Sequence, residues 1–162
     1  MISVLVHGGA HGAWCWERMI PHLAGPAVAL DLPGRGSRPA QLETIVVDDW
    51  VEAVIDSISE IPSERIILVG HSLAGMVLPR VAERIPERLE RLIFVSCSVP
   101  PEGQAVIDIL SPAVRPLAEQ NLRDRVASVL PEEVARQMFC NDMDPEQTRF
   151  VLERLVPEAW SP

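Results

Sequence analysis

Short apolar runs alternate with longer amphipathic segments over roughly the first hundred residues. The apolar runs have the length of buried strands and are rich in Val, Ile and Leu; they occupy residues 2–6, 27–30, 65–69 and 89–95. Between them, apolar positions with helical spacing lie at 14–23, 44–61 and 72–85. Strands that alternate with helices predict a parallel sheet with right-handed crossovers. We therefore expect an α/β fold.

The pattern changes after Pro100 and Pro101. The later amphipathic segments are separated by prolines and contain no convincing strand; they lie at 104–110, 114–129, 131–139 and 145–155. We expect these segments to form a helical cap over the parallel sheet. The predicted organisation is an α/β core at 1–103 followed by a cap or lid at 104–162.

The amino-acid composition excludes several classes of function. A chain of 162 residues that is 48% hydrophobic is long enough to bury one sizeable core. Its 23 acidic and 14 basic residues give a formal charge of −9, which argues against nucleic acid and anionic membrane surfaces as partners. All the basic residues are Arg, so Schiff-base catalysis and a phosphate-binding P-loop lysine are excluded.

Cysteine usage and the first residues predict the compartment. The three cysteines, Cys15, Cys97 and Cys140, are odd in number and widely spaced, unlike a disulfide framework or a zinc site. The chain starts directly with a strand-like run instead of a secretion signal. No apolar run approaches the length of a membrane span. We expect a soluble, cytoplasmic protein.

A serine stands where a buried strand turns into a helix. Ser72 follows Gly70 and His71 and precedes Leu73, Ala74 and Gly75. A sharp strand-to-helix turn exposes such a hydroxyl above the sheet and tolerates only small residues two positions away on either side. The usual pattern is G-x-S-x-G, and Ala74 occupies its last place. The ordinary alternative is a serine that caps a helix. Ser72 is the candidate nucleophile.

A glycine-rich loop follows the first predicted strand. It reads His-Gly-Gly-Ala-His-Gly over 7–12, and its glycines let the backbone approach a substrate closely. Acyl transfer needs backbone N–H donors for the oxyanion, from the residue after the nucleophile and from such a loop. Leu73 and Gly9 are the candidate donors. A dinucleotide-binding turn is the rival interpretation, but the glycine spacing does not fit it.

These segments together resemble the α/β-hydrolase superfamily, and more narrowly the branch of plant methyl esterases, hydroxynitrile lyases and their bacterial relatives. The likeness rests on residues 6–16, 31–36, 69–76 and 95–103. The resemblance implies a partial α/β-hydrolase fold with Ser72 as nucleophile and no cofactor. The lyases usually carry a threonine where this chain has Gly8, and they use a lysine, so ester hydrolysis is favoured. Dehalogenase relatives carry Asp in place of Ser72.

The same resemblance leaves the catalytic acid and base unassigned. Relatives place both after the nucleophile, whereas the four histidines here are His7, His11, His22 and His71. We expect His71 to point away from its neighbour Ser72 and to act in packing. His11 is a possible pocket residue, with a loop-fixing hydrogen bond as the more ordinary role. Asp142 and Asp144 are expected to cap helices.

Two further expectations concern metals and chain length. His7 and His11 lie four residues apart, but the segment is a loop without a third ligand, so no metal site is expected. Trp160 is large and apolar and lies close to the last residue of the sequence. We expect a longer natural chain that supplies the missing histidine.

Three functions stay open. The leading hypothesis is a serine hydrolase that acts on small carboxylic esters through an acyl-enzyme on Ser72 and is catalytically incomplete over these residues. The second is a non-catalytic ligand-binding relative that pairs an exposed sheet edge in a homodimer. The third is a lyase, thioesterase or cofactor-free peroxidase on the same fold.

Overall fold

The structure is a computed structural model that describes residues 1–110, 112, 115–124 and 129–158. Trp160, on which the expectation of a longer chain rests, lies outside these residues, as do residues 114 and 125–128 of the predicted segment 114–129. The other predicted elements fall on the described part of the chain.

Four parallel strands form the sheet, as the alternating pattern predicts. They are β1 Ile2–Val6, β2 Ala27–Leu30, β3 Ile66–His71 and β4 Leu89–Val95, in the order β2-β1-β3-β4. Val4 of β1 pairs with Val28 on one side and with Leu68 on the other. The inner position of β1 explains its apolar run, because a strand between two others contacts packing layers on both faces.

Two α-helices accompany the sheet, α1 Val47–Ser59 and α2 Leu78–Arg84. α1 begins where the Asp49 carboxylate accepts the Val46 N–H at 2.9 Å. The largest buried cluster includes Trp50, which is 1% exposed, together with apolar side chains from α1, α2 and the sheet. A smaller cluster consists of Leu5, Trp16 and Val69 with partly buried neighbours. The α/β class that the sequence predicts is confirmed.

Two predicted helices are wrong in detail. Residues 14–23 were expected to form one helix, but they form two short 3₁₀ turns, Ala13–Trp16 and Ile20–His22. Pro21, in the second turn, has no backbone N–H to continue a helix from the first. Residues 72–85 form a 3₁₀ turn, Ser72–Met76, before α2 begins at Leu78. Pro79 excludes a continuous α-helix here, because its ring would clash with the carbonyl of Gly75.

The segment after residue 103 contains four helices among its described residues. They are α3 Val106–Ile109, α4 Arg115–Asp124, α5 Glu132–Phe139 and α6 Pro145–Leu152. Helices α5 and α6 pack together and bury Ala135 and Val151. The division into a core at 1–103 and a cap at 104–162 stays a prediction. Within the described ranges, no helix combines the length and apolarity that crossing a bilayer requires.

Candidate active site

The backbone at Ser72 has a conformation that L-amino acids rarely adopt. Its φ is +51°, at the point where β3 ends and the 3₁₀ turn begins. The left-handed region costs a non-glycine residue about 1–3 kcal/mol unless the surroundings hold it there. The Ser72 carbonyl accepts the Ser98 N–H at 3.0 Å, from the loop that follows β4. The turn at Ser72 is therefore held by the loop that follows the neighbouring strand.

Close packing around the turn explains its small residues. A methyl group at Gly70 would lie 2.6 Å from Leu78 Cδ1 and 2.9 Å from the Ala74 Cβ. Ala74 is itself 1% exposed, so there is no room for a larger side chain. A methyl group at Gly75 would overlap the Ser98 carbonyl oxygen. The sequence pattern points to positions 70 and 74, but the constraint at Gly75 becomes visible only when β4 and its loop are in place.

The glycine-rich loop runs directly beside Ser72. A methyl group at Gly8 would lie 2.9 Å from Ser72 Cβ, and one at Gly9 would lie 3.6 Å from Leu73 Cδ2. The structure thus brings together the predicted nucleophile and the two residues predicted to donate to the oxyanion. Only glycine at position 8 permits this approach.

His7 is a structural residue at the base of the loop. It is 1% exposed, its Nε2 accepts the Leu32 N–H at 3.2 Å, and its Nδ1 lies 2.8 Å from the Gly8 carbonyl. Because Nε2 is an acceptor, the proton is on Nδ1 and is donated to Gly8. Burial lowers the pKa of His7 to about 4. The ring is therefore neutral near pH 7.

His11 fixes the same loop from the other side. Its Nδ1 bonds the Gly9 carbonyl at 2.7 Å, which is the loop-fixing interaction expected from the sequence. The ring stacks on Trp14 with 5.2 Å between centroids and meets Phe139 edge-on at 4.7 Å. Burial lowers the pKa of His11. His11 therefore links the loop, the first 3₁₀ turn and α5.

His71 lies beside Ser72 without hydrogen-bonding to it. Its ring is edge-on to those of His11 and Trp16, with centroids 6.2 and 6.5 Å away, and burial lowers its pKa. Over the described part of the chain, no side chain forms a hydrogen bond with the Ser72 hydroxyl. The His71 contacts agree with a packing role.

A cavity of about 670 Å³ lies between the first 3₁₀ turn and helices α5 and α6. Aromatic and sulfur-containing side chains dominate its wall, among them Trp14, Trp16, Met138, Phe139, Met143 and Phe150. His11 and His71 also line the cavity, whereas Ser72 does not. The two histidines therefore place the loop and the end of β3 at the wall of the same cavity as α5 and α6.

The sequence pattern does not single out two charged residues that lie near the glycine-rich loop, Arg35 and Glu158. Arg35 is 2% exposed and pairs with Glu158, whose Oε2 accepts the Ala10 N–H at 2.6 Å. Arg35 lies in the turn after β2, but Glu158 is 123 residues away along the chain. No local pattern links the two. Among the described residues, no cluster of three His, Cys, Asp or Glu side chains has the geometry to hold a metal ion.

The sequence of this chain matches a known protein family and several curated proteins. The family model described as "Alpha/beta hydrolase family" matches residues 4–162. Polyneuridine aldehyde esterase of Rauvolfia serpentina is 39% identical over 102 residues, which cover 60% of this chain and 39% of that protein. Esterase PIR7B of Oryza sativa subsp. japonica is 34% identical over 107 residues, covering 62% and 40%. The match spans about two fifths of these curated relatives.

Solved structures share the fold. An extracellular alpha/beta-hydrolase from a Paenibacillus species superposes on the whole chain with a TM-score of 0.86 and 24% sequence identity. The chain covers 68% of that structure. At this level of identity, the similarity establishes the common fold and nothing finer.

Proposed function

The chain belongs to the α/β-hydrolase family, and from that premise we propose that it forms part of a serine hydrolase of small carboxylic esters, with Ser72 as the nucleophile. Relatives named as esterases support ester hydrolysis as the reaction class. The name of one of them, polyneuridine aldehyde esterase, specifies a small molecule, which agrees with a chain of net charge −9 that has little attraction for polyanions.

The observation that carries the proposal is the left-handed backbone of Ser72 beside a glycine loop. A φ of +51° at a strand-to-helix turn aims the side chain above the sheet. Gly8 leaves space next to the Ser72 Cβ that any side chain would fill. A helix-capping serine needs neither feature.

The proposed mechanism follows from this arrangement. The Ser72 hydroxyl oxygen attacks the ester carbonyl carbon, and the alcohol leaves as an acyl-enzyme forms. The Gly9 and Leu73 N–H groups stabilise the negative charge on the carbonyl oxygen in both tetrahedral intermediates. Water then releases the carboxylic acid. The catalytic acid and base are assigned to no residue of this sequence.

Covalent labelling tests the nucleophile directly. We expect a fluorophosphonate probe to add once to the protein expressed from its natural gene, because the probe forms a bond to an activated serine oxygen. Intact-mass spectrometry measures the addition and peptide mapping locates it. Ser72→Ala should abolish the label.

Ser96→Ala is the matched control. Ser96 also follows a strand and has a φ of +45°, but it is exposed and lies after β4. This variant should be labelled as fast as wild type. Labelling that survives Ser72→Ala, or a wild-type protein that takes up no probe, would contradict the proposal and favour a ligand-binding relative.

A further inference from the structure

The peptide groups of the glycine-rich loop are held by specific side chains. The Gly8 carbonyl accepts a proton donated by His7 Nδ1, and the Gly9 carbonyl is bonded by His11 Nδ1. The Ala10 N–H donates to Glu158 Oε2 at 2.6 Å. Both ends of the Gly9–Ala10 peptide are thus bonded. Two consecutive glycines would otherwise leave this segment conformationally free.

Glu158 approaches the loop as part of a short backbone pairing. The Val156 N–H donates to the Ala10 carbonyl at 3.0 Å. Both backbone polar groups of Ala10 therefore bond to residues 156–158, which follow α6. Ala10 also has a φ of +58°, a conformation that a non-glycine residue keeps only where its surroundings hold it. The chain after the cap helices thereby holds the loop in place.

Arg35 provides the counter-charge for the buried Glu158 carboxylate. Arg35 is 2% exposed and the Glu158 side chain 12%, and a guanidinium nitrogen of Arg35 hydrogen-bonds to Glu158 Oε1. Another Arg35 nitrogen, Nη1, donates to the Gly34 carbonyl at 3.1 Å. A buried carboxylate without a counter-charge would be strongly destabilising. Arg35 therefore neutralises the charge while leaving Oε2 to accept the Ala10 N–H.

The position of the carboxylate matters for the chemistry of the loop. A methyl group at Gly9 would lie 2.8 Å from Glu158 Oε2, so the carboxylate is packed against this residue. An unneutralised negative charge there would oppose an oxyanion held by the Gly9 N–H, whereas a paired one adds rigidity with little repulsion. Preorganised donors require such rigidity, because a donor that moves loses its advantage over water.

We propose that Arg35 and Glu158 form a positioning pair that fixes the glycine-rich loop, with its candidate oxyanion donor Gly9, through the Ala10 N–H. The role in catalysis rests on the proposed function, whereas the structural clamp does not. The pair joins the turn after β2, the loop after β1 and the segment after α6, so the cap segment contributes directly to the geometry beside Ser72.

Two measurements on the protein expressed from its natural gene test the pair. The first is hydrogen exchange of the Ala10 amide, measured by NMR, which needs no activity. Glu158→Ala should speed it by about tenfold or more, because a charge-assisted hydrogen bond is lost. The second is the rate of fluorophosphonate labelling of Ser72, which should fall by about tenfold or more when the oxyanion donors lose their alignment.

Two further variants complete the design. Glu158→Gln keeps an acceptor for the Ala10 N–H, so its amide exchange and its labelling rate should both lie between those of wild type and Glu158→Ala. If Glu158→Ala does not fold, the comparison of Glu158→Gln with wild type decides the result. Glu52→Ala removes an exposed partner of Arg84, between α1 and α2, and should change neither rate.

Unchanged exchange of the Ala10 amide in Glu158→Ala would overturn the clamp. Faster exchange with an unchanged labelling rate would overturn its positioning role. If the wild-type protein takes up no probe, the proposed hydrolase function fails, and the clamp is then decided by the exchange rates alone.

Discussion

Single residues fix the turn around Ser72 by their lack of bulk. Gly75 touches the Ser98 carbonyl so closely that no Cβ fits, whereas a methyl group at the exposed Gly25 would meet only the Met1 carbonyl, at 3.9 Å. Backbone atoms such as the Ser98 carbonyl cannot rotate away as a flexible side chain can. The cost of an added methyl group should therefore differ sharply between these two glycines.

We expect Gly75→Ala to lower the free energy of unfolding by about 1–3 kcal/mol, because the added methyl group must displace the loop after β4. Gly25→Ala should stay within about 0.5 kcal/mol of wild type. Urea unfolding of both variants measures the difference. Equal stability of the two variants would show that the loop at Ser98 moves freely, contrary to the packing described.

His7 makes stability depend on pH. Its pKa is about 4 in the folded protein, lowered chiefly by burial, and about 6.5 when unfolded. The unfolded chain therefore takes up a proton first as the pH falls. The contribution of neutral His7 to the free energy of unfolding is fully present above pH 6.5. It is lost as the pH falls toward 4, by on the order of 3 kcal/mol.

His7→Gln cannot be protonated, so we expect its unfolding free energy to fall less steeply than that of wild type between pH 6.5 and 5. Chemical denaturation at a series of pH values measures both slopes. The exposed His22, at the end of a 3₁₀ turn, provides the control: His22→Gln should keep the wild-type slope. A wild-type slope in His7→Gln would assign the pH dependence to other groups.

At the scale of elements, helix boundaries follow local hydrogen bonds. The Asp144 carboxylate accepts the Gln147 N–H at 2.8 Å, and the Gln147 side chain accepts the Asp144 N–H at 3.1 Å. This reciprocal cap starts α6, as expected for Asp144 from the sequence. Asp142 lines the cavity instead of capping a helix.

We expect Asp144→Ala to cost about 1 kcal/mol of stability, because the first turn of α6 loses the acceptor for an otherwise unpaired N–H. Asp142→Ala removes a carboxylate two residues earlier without removing a cap and should be close to neutral. Thermal unfolding distinguishes them. If both variants unfold with the same midpoint, α6 does not depend on its cap.

The two segments that the sequence predicts poorly, 14–23 and 72–85, both contain 3₁₀ turns where a single helix is expected. Pattern alone treats 72–85 as a single helix, whereas Pro79 divides it into a 3₁₀ turn and α2. The period of apolar residues is similar in both types of helix, so spacing cannot separate them. The inner strands β1 and β3 are predicted well because a strand inside a parallel sheet must be apolar on both faces.

At the scale of the whole molecule, β4 is an edge strand whose last three residues are exposed and apolar, and among the described residues no strand pairs with its outer side. Ile93, Phe94 and Val95 are 39–43% exposed. An exposed apolar edge is prone to pair with another chain. The homodimer expected for a ligand-binding relative would use this edge, and it stays a prediction.

We expect the polypeptide of 162 residues to self-associate with rising concentration, and Phe94→Lys to weaken that association, because a charge at an edge strand opposes pairing. Sedimentation velocity measures the effect. Val46→Lys introduces the same charge at a side chain that is 49% exposed outside the sheet, and should associate like wild type. Equal association of the two variants would exclude the β4 edge as the interface.

The sequence by itself determined the α/β class, the positions of the strands and the juncture that carries Ser72, because these depend on residue type and on spacing within short segments. Only the tertiary structure decided that Gly75 meets Ser98, that His11 joins the loop to α5, and that Glu158 reaches Arg35 and Ala10. These contacts join residues far apart along the chain, and their energies exist only after the sheet and the helices that follow it have brought the partners together. Periodicity therefore identifies the elements, and packing between them fixes the geometry of the site.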